Sequence, residues 1–271
     1  MVGNWRNRHK HIGGGRLMKK LILSILFILC LSFQASAWNP MVVVSGESAG
    51  CVPEANIKFW WECETTTAEY SNDDSTATIS GTAALTADAD KSGTNGVDIA
   101  GGVGYYYFDH DTSGIGGSEG RIGTWFYVNS GMGTNVPIIL TLFHGGDGSY
   151  KPSFYFHIAN SSGYVKLTWA NNTAADINIT SAGACVSTGN WYWVEFWWDD
   201  TDDSIGYQLY DVNLDAVTNC NANTTGEFDT VQTHGDLRVG GNEDIYVDHV
   251  IVVNDHELSL LPCANESSFP Y

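Results

Sequence analysis

The sequence predicts an all-β fold, a sandwich of antiparallel sheets, and three observations carry that prediction. Short segments of alternating apolar and polar residues recur along the chain, each bounded by Gly, Asn, Asp or Ser. No stretch carries the periodicity of an amphipathic helix. Thirty glycines stand against only six prolines, a composition that suits many tight turns between strands.

Residues 1–37 read as an export signal. Lys19 and Lys20 form its basic start, Leu21 to Phe33 its apolar run, and Ala35, Ser36 and Ala37 a small-residue cleavage site, so the mature chain is expected to begin at Trp38. Met18 makes a more ordinary start for such a signal than Met1. The apolar run is too short for a membrane span and no second run follows, so no transmembrane segment is expected. Residues 38–56 form an irregular lead-in, 57–263 one β domain, and 264–271 a loose tail.

Within the domain the alternation predicts strands near Ile57–Cys63, Val103–Phe108, Ile122–Val128, Ile138–Phe143, Phe154–Ile158 and Tyr164–Trp169. Further strands are expected near Asp176–Ile179, Trp191–Trp198, Ile205–Tyr210, Leu237–Val239 and Ile245–Val253, with weaker ones at Ala77–Ile79 and Val97–Ile99. The last long strand carries one acid, Asp248, among apolar neighbours, and a carboxylate there is costly to bury without a partner.

Charge limits the partners. Six of the 12 basic residues fall in the signal and none of the 31 acids does, which leaves the mature chain a formal charge of −25. Such a field repels phosphate backbones, so the reading is no nucleic acid. It favours neutral or cationic ligands.

Five cysteines survive processing, and in an exported chain they are disulfide candidates first. If the strands flanking Asp199–Ser204 form a hairpin with its tip between Asp202 and Asp203, Cys185 falls opposite Cys220, and a bridge between them is expected. Cys51–Cys63 is the local pairing among the other three, and Cys63–Cys263 is its rival if the terminal strands are neighbours.

Several segments in order resemble a known family. Trp61-Glu-Cys-Glu64 followed by Asp73-Asp-Ser75, the strand Gly120-Arg-Ile-Gly-Thr-Trp-Phe-Tyr-Val128, the hairpin from Trp191 to Tyr210, and the closing Leu237-Arg-Val-Gly240 with Tyr246-Val-Asp-His-Val250 are similar to the laminin-G-like jelly roll of the concanavalin A-like lectin/glucanase superfamily. The resemblance covers roughly 57–261 and implies a jelly-roll sandwich of two curved antiparallel sheets, with first and last strands side by side. It also implies a structural calcium near Asp248, Asp73 and Glu64, where clustered oxygens would neutralise the buried acid. Without a metal, Asp248 would pair with backbone N–H groups or an Arg.

Catalysis finds thin support. The strand Pro137–Phe143 lacks the paired carboxylates that a glucanase needs. Phe143-His144-Gly145 resembles a segment of jelly-roll alginate lyases, but only Arg121 stands near the place of their basic strand, and a −25 surface is a poor host for a polyanion.

The aromatic supply points to binding. Ten tryptophans and thirteen tyrosines exceed what one core needs. On the hairpin strand Trp191, Trp193, Glu195 and Trp197 share one parity, and Tyr192, Val194, Phe196 and Trp198 the other. The first set, with Trp169 and His157, would line a glycan groove, and His144 would sit at a strand end beside it. The alternative is that both parities are buried. The sequence thus reads as a secreted, non-catalytic, lectin-like module for polysaccharide or cell-surface glycan. The alternative is a structural or adhesive subunit, a homo-oligomer or part of an extracellular assembly, and a polysaccharide lyase-like enzyme comes third.

Overall fold

The computed structural model describes residues 51–71, 76–91, 93–108, 118–129, 138–144, 152–169, 177–199, 201–225, 234–241 and 244–265. The export signal, most of the lead-in, and Asp73 lie outside these residues. Every described residue belongs to the unit Ser48–Tyr271.

Among the described residues fourteen strands run in the order β1 (Ile57–Trp61), β2 (Tyr70–Ser71), β3 (Thr78–Thr86), β4 (Gly96–Phe108), β5 (Glu119–Val128), β6 (Ile138–His144) and β7 (Pro152–Ile158), then β8 (Val165–Trp169), β9 (Ile177–Thr180), β10 (Trp191–Asp199), β11 (Ser204–Tyr210), β12 (Ala216–Thr225), β13 (His234–Val239) and β14 (Ile245–Val253). Hydrogen bonding links them as β12-β11-β10-β5-β14-β4-β13-β6-β7-β8-β9, with β1 on β14 and β3 on β4. Every pairing is antiparallel.

β4 joins the two layers. Its Val97–Ile99 stretch pairs with β14, whereas Tyr106–Phe108 pairs with β13. Between them Gly101 takes φ 54° and Gly102 φ 156°, backbone that a side chain would resist. On β3 a Cβ at Gly81 would sit 1.8 Å from the Val103 carbonyl oxygen, so this close approach requires glycine.

The two halves bury their facing side chains against each other. Phe156 of one half stands 6.0 Å from Phe126, 6.2 Å from Phe196 and 5.7 Å from Tyr207 of the other, and Phe154 stands 5.3 Å from Trp198. The parity predicted to be core on β10 is core: Tyr192, Val194, Phe196 and Trp198 are all buried here.

β1 lies against β14, with Trp61 opposite Val250 and Ile57 opposite Val253, so the first and last long strands are neighbours as expected. A second apolar cluster covers the other face of this region. Val52, Ile57, Trp60, Trp125, Trp193, Ile251, Val253, Leu260, Cys263 and Ala264 form it, and the Trp125 indole donates to the Ala264 carbonyl at 2.6 Å. Ala264, expected to begin a loose tail, is buried.

The disulfides correct the sequence reading in part. Cys185 is bridged to Cys220 as expected, but not by the expected register. Asp199 opposes Ser204, so the hairpin tip is centred one residue earlier, and Cys220 lies on β12, the strand beyond the hairpin. The other bridge is Cys51–Cys263, and neither pairing of Cys63 forms. The reason is geometric. β1 carries Cys63 a strand's length from Cys51 and into the core, whereas pairing of β1 with β14 brings the segments before and after them together. The buried Cys63 thiol is pushed well up by desolvation and by the nearby Asp248.

Candidate functional site

The side chains that alternate with the core on β3, β4, β13 and β6–β9 form an unusual outer face. Thr78, Tyr107, Arg238, Thr141, Tyr155, Thr168 and Asn178 are successive register partners, one polar residue on each of seven adjacent strands. Their chain neighbours Phe108, Leu237, Val239, Leu140, Phe154, Phe156, Leu167 and Trp169 point into the core. Period-2 geometry therefore places the row on the side away from the core.

The row is corrugated. Thr141 and Thr168 are buried among longer neighbours, while Tyr107, Tyr155 and Arg238 remain half-buried. The Arg238 guanidinium lies 4.0 Å from the Tyr105 ring centroid, a cation–π contact that fixes its plane. The Tyr107 hydroxyl donates to the Asp236 carboxylate. Thr168 Oγ1 donates to Asn178 Oδ1 at 2.9 Å, and His157 Nε2 lies 3.4 Å from Thr168 Oγ1. The His157 ring stands 5.0 Å from that of Tyr155. The surface thus offers aromatic faces, hydroxyls, an amide and a guanidinium on rigid strands. These groups suit a neutral polyol: hydroxyls and amides exchange hydrogen bonds with sugar hydroxyls, and aromatic faces accept their C–H surfaces.

His157 is the one predicted site residue placed on this face with its side chain described. Burial, then the Lys166 charge, pushes its imidazole down to about 4, against a weaker opposing hydrogen bond to the Ile158 backbone. It is neutral near pH 7 and a weak base there, which disfavours a proton-abstracting role. His144 ends β6 opposite His234 of β13, and its side chain lies outside the described residues.

The structure separates the remaining groove residues. Trp169 is fully buried in the inter-sheet core, 4.3 Å from the Phe154 ring. Trp193 is fully buried on the opposite side, 5.6 Å from Trp125 under the terminal cover. Space for it exists because position 123 is glycine: a Cβ there would lie 2.3 Å from the Trp193 ring. Glu195 accepts from the Trp193 indole at 3.2 Å and from Arg121 Nη1 at 2.9 Å. Burial raises its carboxyl, and Arg121 only partly reverses this. Arg121 in turn lies 4.9 Å from the centroid of the half-buried Trp197. Glu195, Arg121, Trp193 and Trp197 therefore form a packed ion-pair cluster, not an open groove, because Val52, Leu260, Cys263 and Ala264 cover this face of β10. Arg121 is also remote from the polar row, on β5 of the other half.

Two residues of the expected calcium set are described. Asp248 is fully buried and accepts the Lys91 backbone N–H at 2.9 Å. Glu64 accepts from the Thr94 backbone and hydroxyl and from the Asn95 amide. Both carboxylates hold the 91–95 segment, which is the metal-free alternative for Asp248. Among the described residues, which exclude Asp73, no group of three or more His, Cys, Asp or Glu is placed to hold a metal ion.

Sequence reasoning missed Tyr105, Tyr107, Thr141, Tyr155, Thr168 and Arg238. The signal was present in the off-core parity of each strand, but it needs the strand order to become one surface.

No protein-family model matches the sequence, and no curated protein matches it. Solved structures do. The chain is similar to the binding domain of botulinum neurotoxin DC in complex with SialylT, with TM-score 0.54 and 10% identity, over 76% of this chain and 49% of that one. It is similar to the botulinum neurotoxin serotype D binding domain, with TM-score 0.50 and 9% identity, over 74% and 49%. It is also similar to Trypanosoma rangeli sialidase in complex with 2,3-difluoro-KDN, with TM-score 0.52 and 12% identity, over 89% and 37%. The chain spans about half the length of the neurotoxin domains and little more than a third of the sialidase. At such identities the likeness concerns the fold, an antiparallel all-β sandwich.

Proposed function

We propose that this chain is an exported carbohydrate-binding β-sandwich whose ligand lies across the polar row of β3, β4, β13 and β6–β9. The row itself carries the reading: seven adjacent strands place hydroxyl, amide, guanidinium and tyrosine groups outward in register. Two of the chain's few basic side chains, Arg238 and Lys166, stand on the same face, although the chain as a whole is strongly acidic. Two disulfides suit an oxidising, extracytoplasmic setting. The neurotoxin domain bound to SialylT and the sialidase support the fold on which this reading is built, and kinship to laminin-G-like domains remains part of the same proposal.

A glycan array tests it, run with the wild-type chain and with Tyr155→Ala and Arg238→Met. The expected outcome is a set of neutral or mixed glycans that bind the wild-type chain and bind either variant about tenfold or more weakly, at unchanged melting temperature. Binding that survives both substitutions, or no binding to any glycan, overturns the assignment.

A further inference from the structure

The other half of the sandwich carries a second, chemically different surface. β14, β5 and β10 place Tyr246, Tyr127 and Trp191 in register at one end of the sheet. Tyr127 and Tyr246 are stacked within 9° of parallel at 5.3 Å, Trp191 lies 5.4 Å from Tyr127, and Trp191 lies 6.5 Å from Tyr246. These spacings close the three rings into a triangle rather than a file. All three rings are half-buried, so part of each meets solvent. Nothing fits between rings at contact distance, and a ligand must lie over them.

Carboxylates flank the Tyr246 side of this triangle. Asp98 on β4 is the register partner of Tyr246, Asp244 immediately precedes β14, and the exposed Asp88 also acts on the ring. Asn129 donates to the Tyr246 hydroxyl at 2.9 Å and to Asp244 at 3.2 Å, which holds the rim in place. The Asp98 carboxyl is raised by burial and then by Asp244 and Asp88; the charges that act on it are all negative. Burial and the same three acids also raise the Tyr246 hydroxyl. Among the described residues these acids are not grouped as metal ligands would be. Partly desolvated like charges beside half-buried aromatic rings favour an organic cation, which gains Coulomb attraction and contact with the rings.

We propose that this acid-rimmed aromatic triangle is a second ligand site, for a cationic amino-sugar residue held by its free ammonium group. The sugar's C–H face lies over Trp191 and Tyr127, and the ammonium lies toward Asp98 and Asp244. The site is independent of the polar row, and the two proposals fail separately.

Calorimetric titration with a fully deacetylated glucosamine trisaccharide tests it, with the N-acetylated trisaccharide as the neutral counterpart. The expected result is measurable binding of the deacetylated sugar and at least about tenfold weaker binding of the acetylated one. Asp98→Asn and Trp191→Leu should each weaken the first by about tenfold while the chain melts as before. Asp202→Asn, at the exposed hairpin tip, removes the same charge elsewhere and should change affinity less than about twofold. Equal loss in Asp98→Asn and Asp202→Asn would reduce the effect to net charge and overturn the site. Binding of the deacetylated sugar that survives both Asp98→Asn and Trp191→Leu would overturn it as well.

Discussion

Glu62 shows how a single half-buried acid sets a pH limit on this molecule. It sits directly after β1, where burial, then Glu69 and more weakly Glu64, push its carboxyl up to about 7, against a hydrogen bond involving Trp60. A carboxyl raised on folding holds its proton where the unfolded chain would release it. Its stabilising effect is therefore complete below the ordinary value of 4.5 and is lost as pH rises through about 7. Glu62→Gln keeps the neutral shape at every pH. Thermal melts should show the variant about 3 °C more stable than wild type at pH 8, on the order of 1 kcal/mol after solvent screening, with no difference at pH 4.5. An equal shift at both pH values would place the effect in packing rather than in the proton. The sequence displayed Glu62, Glu64 and Glu69 but not the partial burial of Glu62, since burial depends on what folds over it. Asp248 was legible in the same limited way: its cost inside a strand was evident, and its backbone partner at Lys91 was not.

At the scale of elements, strands with strong alternation were legible and strands without it were not. β10 and β14 announce themselves by aromatic and β-branched residues. β12, Ala216–Thr225, is built largely of Asn, Thr and Ala, exposes most of its residues, and gives no apolar period to read. It forms because β11 offers a free edge, which is a tertiary cause. The hairpin register failed by one residue for a related reason, since the tip Thr201–Asp203 has several plausible centres. The terminal cover also escaped notice because neither segment is a strand; its clearest mark is the Cys51–Cys263 bridge. Replacing both cysteines by serine should lower the unfolding free energy by about 2–5 kcal/mol, since the bridge closes a very long loop. Denaturant unfolding measures the loss, and a red-shifted tryptophan emission is expected as Trp125 and Trp193 lose their cover. An unchanged midpoint would show that the two segments dock without the bridge.

Across the whole molecule, the sequence conveyed a sandwich closed by its terminal strands, and β1 on β14 has that arrangement. The binding surface was far less legible. Sequence reasoning followed the densest aromatic strand, β10, but dense aromatics on both parities mean burial on both sides, as Trp193 shows. The polar row distributes one residue to each of seven strands separated by as much as the length of the domain. No local window contains it. The same distribution suits a long neutral ligand, since rigid strands hold each group without loop ordering at the moment of binding. Backbone NMR shift mapping tests this most directly, using the array glycan that binds most tightly. The account predicts perturbations concentrated on β4, β13 and β6–β8 around Tyr107, Arg238, Thr141 and Tyr155, with β10 and β11 unchanged. Perturbations confined to β10, β11 and the terminal cover, with that face silent, would contradict it.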